Sequence, residues 1–213
     1  MKRHRLKLLT MSVGAWGILA SEVQAQTSVL RGYVMEIQMV PAFCALDKEK
    51  SKKRKCVEGY SLNIAGLYPD TTKESCQTTS SSVLLPLQAK VVSRVMPDQN
   101  ARTMLWQNYG GCVPMNASQY FRTIINYADR LNVPLDLSAA DDNFTNVNAL
   151  RTDFLKLNKS MPNHALHFSC QMINRVHVLT SIDICYNTAG KYKQCPKTLQ
   201  TNCPYGFHIK GTF

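Results

Sequence analysis

Eight cysteines, Cys44, Cys56, Cys76, Cys112, Cys170, Cys185, Cys195 and Cys203, constrain this 213-residue chain more than any other feature. An even count in an exported chain reads as four disulfides. Eight cysteines allow roughly a hundred connectivities, and counting does not choose among them. No pair has the C-x-x-C spacing of a zinc ribbon or a thioredoxin-like site, so neither a metal nor another cofactor is expected.

Export itself is read from the first residues. Lys2, Arg3, Arg5 and Lys7 precede an apolar stretch from Leu8 to Ala20, and Val23 and Ala25 suit cleavage before Gln26. Residues 1–25 are therefore expected to be a secretory signal peptide, and residues 26–213 a single domain in the periplasm or secreted medium. No later stretch approaches transmembrane length. The leader holds four Lys/Arg and one Glu, so its removal lowers the net charge from +11 to +8. A basic balance suits nucleic acid, anionic lipid or acidic polysaccharide, and it also serves solubility.

Tyr33, Met35, Ile37 and Met39 alternate with their neighbours up to Pro41, the pattern of a strand. The stretch from Cys44 to Cys56 is dominated by Lys48, Lys50, Lys52, Lys53, Arg54 and Lys55 and reads as a solvated charged loop. Ser61 to Ile64 is a short strand candidate, with a turn expected at Gly66 to Pro69. Helical spacing follows at Leu84 to Val95, Ala101 to Tyr109, the residues after Asn116, and from about Thr145. Leu166 to Cys170 and Val176 to Ile184 return to a period of two and read as adjacent antiparallel strands. The tail from Tyr186 reads as loop. The expectation is an α+β domain: an antiparallel sheet built from both ends of the chain, with several helices packed on it.

Four segments then fall in order: MVPAFC at 39–44, LNIAGLYP at 62–69, MLWQNYGGC at 104–112 and SIDICY at 181–186. Together they resemble the ribonuclease T2 family, of the bacterial periplasmic type. That family carries a W-P-x-x-F-C-like stretch, segments similar to F-T-I-H-G-L-W-P and H-E-W-x-K-H-G-T-C, and a late strand similar to L-x-E-I-x-I-C. The resemblance implies the family's α+β fold and a pairing of the cysteines: Cys44 with Cys56, Cys76 with Cys112, Cys170 with Cys203, and Cys185 with Cys195. It also implies cleavage of RNA by the neighbouring 2′-hydroxyl, which needs a general base, a general acid and a donor to the charged phosphorane.

At every position where the family resemblance places such a group, this sequence departs. Ala65 stands for the first His, Met104 for the second, Leu105 for the Glu, Asn108 for the Lys and Tyr109 for the last His. Gly66, Leu67, Pro69, Trp106, Gly110 and Cys112 keep the frame, with Tyr68 in place of a Trp. Ala65, Met104 and Leu105 move no proton, and a tyrosine, as at Tyr109, is a poor base at neutral pH. His164, His167, His177 and His208 lie outside both segments, and His167 and His177 are out of phase with their strands' apolar residues.

The expectation is an inactive T2-like protein that binds RNA or nucleotides through Tyr68, Trp106, Tyr109 and the basic residues Lys52, Lys53, Arg54 and Lys55. A second reading gives the scaffold and its basic loop an acidic envelope or protein partner. A third keeps ribonuclease activity with a relocated acid/base pair.

Overall fold

A computed structural model describes residues 29–46 and 48–212; the leader read in residues 1–25 lies outside them. Strand β1 (Leu30–Met39) buries Tyr33, Met35, Ile37 and Met39 on one face, as its alternation requires. Pro41 begins α1 (Val40–Ala45), a position where its missing N–H costs nothing. The lysine-rich stretch is helical rather than loop: α2 (Lys48–Ser51) and α3 (Arg54–Val57) follow at once. Ion pairs one turn apart, Lys52 with Glu49 at 2.7 Å and Arg54 with Glu58 at 2.6 Å, and closure by Cys44–Cys56 account for the difference.

Strand β2 (Leu62–Thr71) runs straight through the expected turn at Gly66 to Pro69. Pro69 is tolerated because β2 is an edge strand, so its absent N–H breaks no ladder on the open side. Opposite β1, Ile64 faces Ile37 and Gly66 faces Glu36, which leaves Ala65 as the extra residue of a β-bulge.

Helices α4 (Pro86–Val92) and α5 (Gln99–Tyr109) come next, the latter capped by Asp98 Oδ1, which accepts from the Ala101 N–H at 3.1 Å. A single 3-10 turn, Gly110–Cys112, closes α5. The long helix α6 (Ala117–Arg130) starts with a full capping box between Asn116 and Gln119 and buries Tyr120, Phe121 and Ile124. Its Tyr120 hydroxyl donates to the Leu67 carbonyl, fixing α6 against β2. Strand β3 (Asn143–Asn146) takes Thr145, read above as helical, and α7 (Val147–Leu157) begins after it.

Strands β4 (Leu166–Ile173) and β5 (Val176–Tyr186) form the expected hairpin, with Asn174 and Arg175 at φ of 50° and 68° in its two-residue turn. The short β6 (Gly206–Ile209) lies in the tail read as loop. Strand order is β2-β1-β5-β6-β3, with β4 also on β5. One correction to an all-antiparallel sheet follows: β6 meets β5 in parallel at Val178 and His208, because it arrives after a crossover. Four disulfides hold the chain, Cys44–Cys56, Cys76–Cys112, Cys170–Cys203 and Cys185–Cys195, the same pairs that the resemblance implies. The last two pin the tail to β4 and β5.

Candidate functional site

Two segments meet at one edge of the sheet, and glycines let them approach. A Cβ on Gly66 would stand 2.6 Å from Tyr68 Cζ and 2.9 Å from Leu105 Cδ1, so α5 rests on β2 where side-chain bulk is absent. A Cβ on Gly111 would stand 2.5 Å from the Gln77 carbonyl oxygen. There the Gly111 N–H donates to the Cys76 carbonyl at 2.8 Å, beside the Cys76–Cys112 bridge. The Thr78 N–H reaches the Gln107 carbonyl at 2.8 Å. Backbone bonds, one disulfide and two glycines thus fix the end of α5 against the loop after β2.

The five positions singled out in sequence do not share one surface. Ala65, on the bulge, is half-buried, and Leu105 is buried over Gly66. Met104 is 60 % exposed and Asn108 is exposed. Tyr109 is half-buried, its ring edge-on to Tyr68 at 5.0 Å between centroids. The Tyr68 hydroxyl donates to Glu36 Oε2 at 2.9 Å, and burial together with the Glu36 charge pushes its pKa far above the ordinary tyrosine value.

The aromatic trio needs a correction. Trp106 is 2 % exposed, its indole N–H donates to the Ser80 carbonyl at 3.0 Å and its ring leans on Tyr120 at 5.6 Å. It is core and offers no face to a base. Tyr68 and Tyr109 pack on one another, which leaves only part of each ring for a ligand.

The bulge opens Ala65 onto a cavity of about 260 Å³ lined with Gln38, Phe43, Lys53, Lys55 and Asn63 and closed by Met96, Asp98 and Ala101. Asn63 is 7 % exposed; its amide N–H₂ donates to the Ile64 carbonyl at 3.0 Å while its Oδ1 has no hydrogen-bond partner among the described residues. Lys55 turns inward, donates to Gln38 Oε1 and sits 4.0 Å from the Phe43 ring centre; burial lowers its pKa. The basic loop is therefore divided: Lys53 and Lys55 line the cavity, while Lys52 and Arg54 point outward in their ion pairs with Glu49 and Glu58.

Asn108 and Tyr109 line a different cavity, of about 400 Å³, with Lys73, whose ammonium donates to the Gly111 carbonyl at 2.8 Å. Leu105 borders neither cavity. Chemically, the first cavity presents cationic and amide groups toward a ligand and a methyl group where the bulge aims a side chain.

None of the four histidines of the described residues lines either cavity. His164 and His177 are exposed, His208 packs edge-on to Phe144 at 5.2 Å, and His167 Nδ1 lies 3.3 Å from Thr201 Oγ1. Burial, with the nearby charges of Arg151 and His164, pushes the His167 pKa down. No three His, Cys, Asp or Glu side chains among the described residues stand close enough to hold a metal ion.

Sequence reasoning passed over Gln38, Asn63 and Lys73, which the structure brings to the two cavities. Their only signal is a polar residue in a strand or a Thr/Ser-rich loop, and that says nothing of what lies across from it.

The architecture is shared with solved ribonucleases. A variant of RNase MC1 in complex with 5′-UMP superposes with a TM-score of 0.67 at 16 % identity, covering 84 % of this chain and 97 % of that one. The self-incompatibility associated SF11-RNase of Nicotiana alata gives 0.65 at 14 % identity over 83 % and 96 %, and an RNase-related protein from Calystegia sepium gives 0.65 at 15 % over 85 % and 97 %. Another RNase MC1 variant is complexed with 5′-GMP, at a TM-score of 0.66 and 17 % identity over 84 % and 99 %. No protein-family model and no curated protein matches the sequence. The fold is that of the T2 ribonucleases.

Proposed function

We propose that this is an exported T2-like protein that binds nucleotides or RNA at the Ala65 cavity without cleaving them. The observation that carries the reading is the cavity itself. Lys53 lines it, Lys55 keeps ammonium N–H groups beyond the one given to Gln38, the Asn63 Oδ1 acceptor is buried and unmet among the described residues, and Phe43 completes the wall. In that reading Ala65, Met104, Leu105, Asn108 and Tyr109 replace the family's catalytic groups, and the first four, without a titratable proton, remove acid/base catalysis worth about 10² to 10⁴ in rate for each group. The nucleotide complexes of RNase MC1 support a nucleotide-sized ligand. Four disulfides and the N-terminal leader support export and a single domain over 26–213.

Fluorescence anisotropy with labelled single-stranded RNA, and calorimetry with 5′-UMP, test this in low and moderate salt. Binding that weakens as salt rises, and about fivefold or more in Lys53→Ala with Lys55→Ala, is expected. RNA incubated with the protein and chelator stays intact. Absent binding, or binding indifferent to the two lysines, overturns the binding half. Cleavage by the wild type that Tyr109→Phe or His167→Ala abolishes overturns the inactive half.

A further inference from the structure

A further cavity, of about 480 Å³, lies on the sheet face between β1, β2 and the segment Pro196 to Leu199. At its wall stands Asp183 on β5, 9 % exposed, in register with Glu36 on β1 and His167 on β4. Its carboxylate makes no hydrogen bond or ion pair among the described residues, and Glu36 is the one charged neighbour that acts on it. The cations at the Asp70 end of the cavity are already committed elsewhere. Arg31 donates from Nε and Nη2 to Asp70 Oδ1 at 3.1 and 2.8 Å, and Lys193 bonds Asp70 Oδ2 and the Arg31 carbonyl. A carboxylate on a residue nine-tenths buried, lining a cavity with no donor to it among the described residues, is placed to receive one from a ligand. A metal ion is not that ligand, since two carboxylates without a third ligand make a poor site.

We propose that this cavity binds a small organic cation, an alkylammonium or guanidinium compound, whose N–H groups bond the Asp183 carboxylate while its apolar body rests on Val34, Pro69, Pro196 and Leu199. The volume has room for such a cation and for a longer apolar body. The groups facing Asp183 are Glu36 from β1, Tyr68 from β2 and His167 from β4; at the far end stand Asp70, Arg31 and Lys193, already paired, and Lys197 on the covering segment is exposed. Burial and the Glu36 charge push the Asp183 pKa up to about 7, so the ionised form that receives the cation grows about tenfold between pH 6 and pH 8.

Calorimetry with n-butylammonium and n-butylguanidinium chloride on the purified, oxidised protein tests the site, with tetramethylammonium as a cation that has no N–H. Saturable binding at pH 8 is expected, about tenfold weaker for tetramethylammonium, about tenfold weaker at pH 6, and at least tenfold weaker in Asp183→Asn. Leu199→Trp, which fills the cavity from its covering segment, also abolishes binding and keeps the test open if Asp183→Asn folds poorly. No saturable binding, or binding unchanged in both variants, overturns the proposal. Affinity for 5′-UMP stays unchanged in Asp183→Asn, which separates this site from the Ala65 cavity.

Discussion

Asp70 and Asp183 line one cavity, both more than nine-tenths buried, and the protein treats them in opposite ways. Burial pushes the Asp70 pKa up, but hydrogen bonds from Lys193 and Arg31 outweigh it and hold the carboxyl below its usual range. Asp183 has burial and the charge of Glu36, both acting upward, and no paired cation among the described residues. The first is architecture: Asp70 ties the end of β2 to β1 and to the loop after β5. The second stores an unmet charge at a place open to a ligand. Equal burial thus gives a structural carboxylate where the fold supplies its donors, and a candidate site where it does not.

Removing the difference from the Asp70 side has the largest expected effect. Arg31→Met with Lys193→Met leaves Asp70 buried and unpaired, and a broken buried pair costs about 3 to 5 kcal/mol. Urea unfolding at pH 7 measures it. Because Asp70 then holds its proton more tightly, the loss shrinks as pH falls toward 4. A loss below about 1 kcal/mol would mean that water reaches Asp70 and that the comparison is between two exposed groups.

From the other side, Asp183→Asn is expected to stabilise the protein. The folded pKa of about 7 lies above the ordinary aspartate value of 3.8, so the folded state holds the proton more strongly than the unfolded chain. Wild-type stability therefore falls as pH rises from about 4 to 7, and the full penalty, roughly 4 kcal/mol, stands above pH 7. The variant gains up to that amount at pH 8 and nothing near pH 3. Paired thermal melts across this range read it directly, and a gain independent of pH points to packing rather than charge.

How much of this was legible in the sequence depends on the range of the interaction. Alternation from Tyr33 to Met39, the Asn116 cap and the β4–β5 hairpin are local signals, and the structure has them all. The strand through Gly66 and Pro69 misled, because glycine and proline mark turns unless an edge strand and a packed helix give them other work. Strands β3 and β6 are four residues each and find one another across the chain, so neither has a pattern of its own. The same holds for the site. Ala65, Leu105 and Tyr109 were visible through the family frame, but the bulge at Ala65 and the burial of Trp106 are facts of register and packing. Asp183 is one polar residue in an apolar strand, and only the sheet sets it beside Glu36.

Tyr68 links the two regions, since it borders the Asp183 cavity and donates to Glu36 at 2.9 Å. Tyr68→Phe keeps the edge contact with Tyr109 and removes one hydrogen bond to a carboxylate, which is worth about 1 to 2 kcal/mol. That loss is the smallest of the three. It leaves Glu36 without its tyrosine donor while Asp70 keeps both cations, so the variant makes the β1 carboxylate more like Asp183. Urea unfolding at pH 8 should show the loss, and binding of n-butylammonium should then strengthen by severalfold, because a cation entering the cavity meets two unmet carboxylates instead of one. Unchanged binding would show that Glu36 acts on Asp183 through its charge alone and does not reach the ligand.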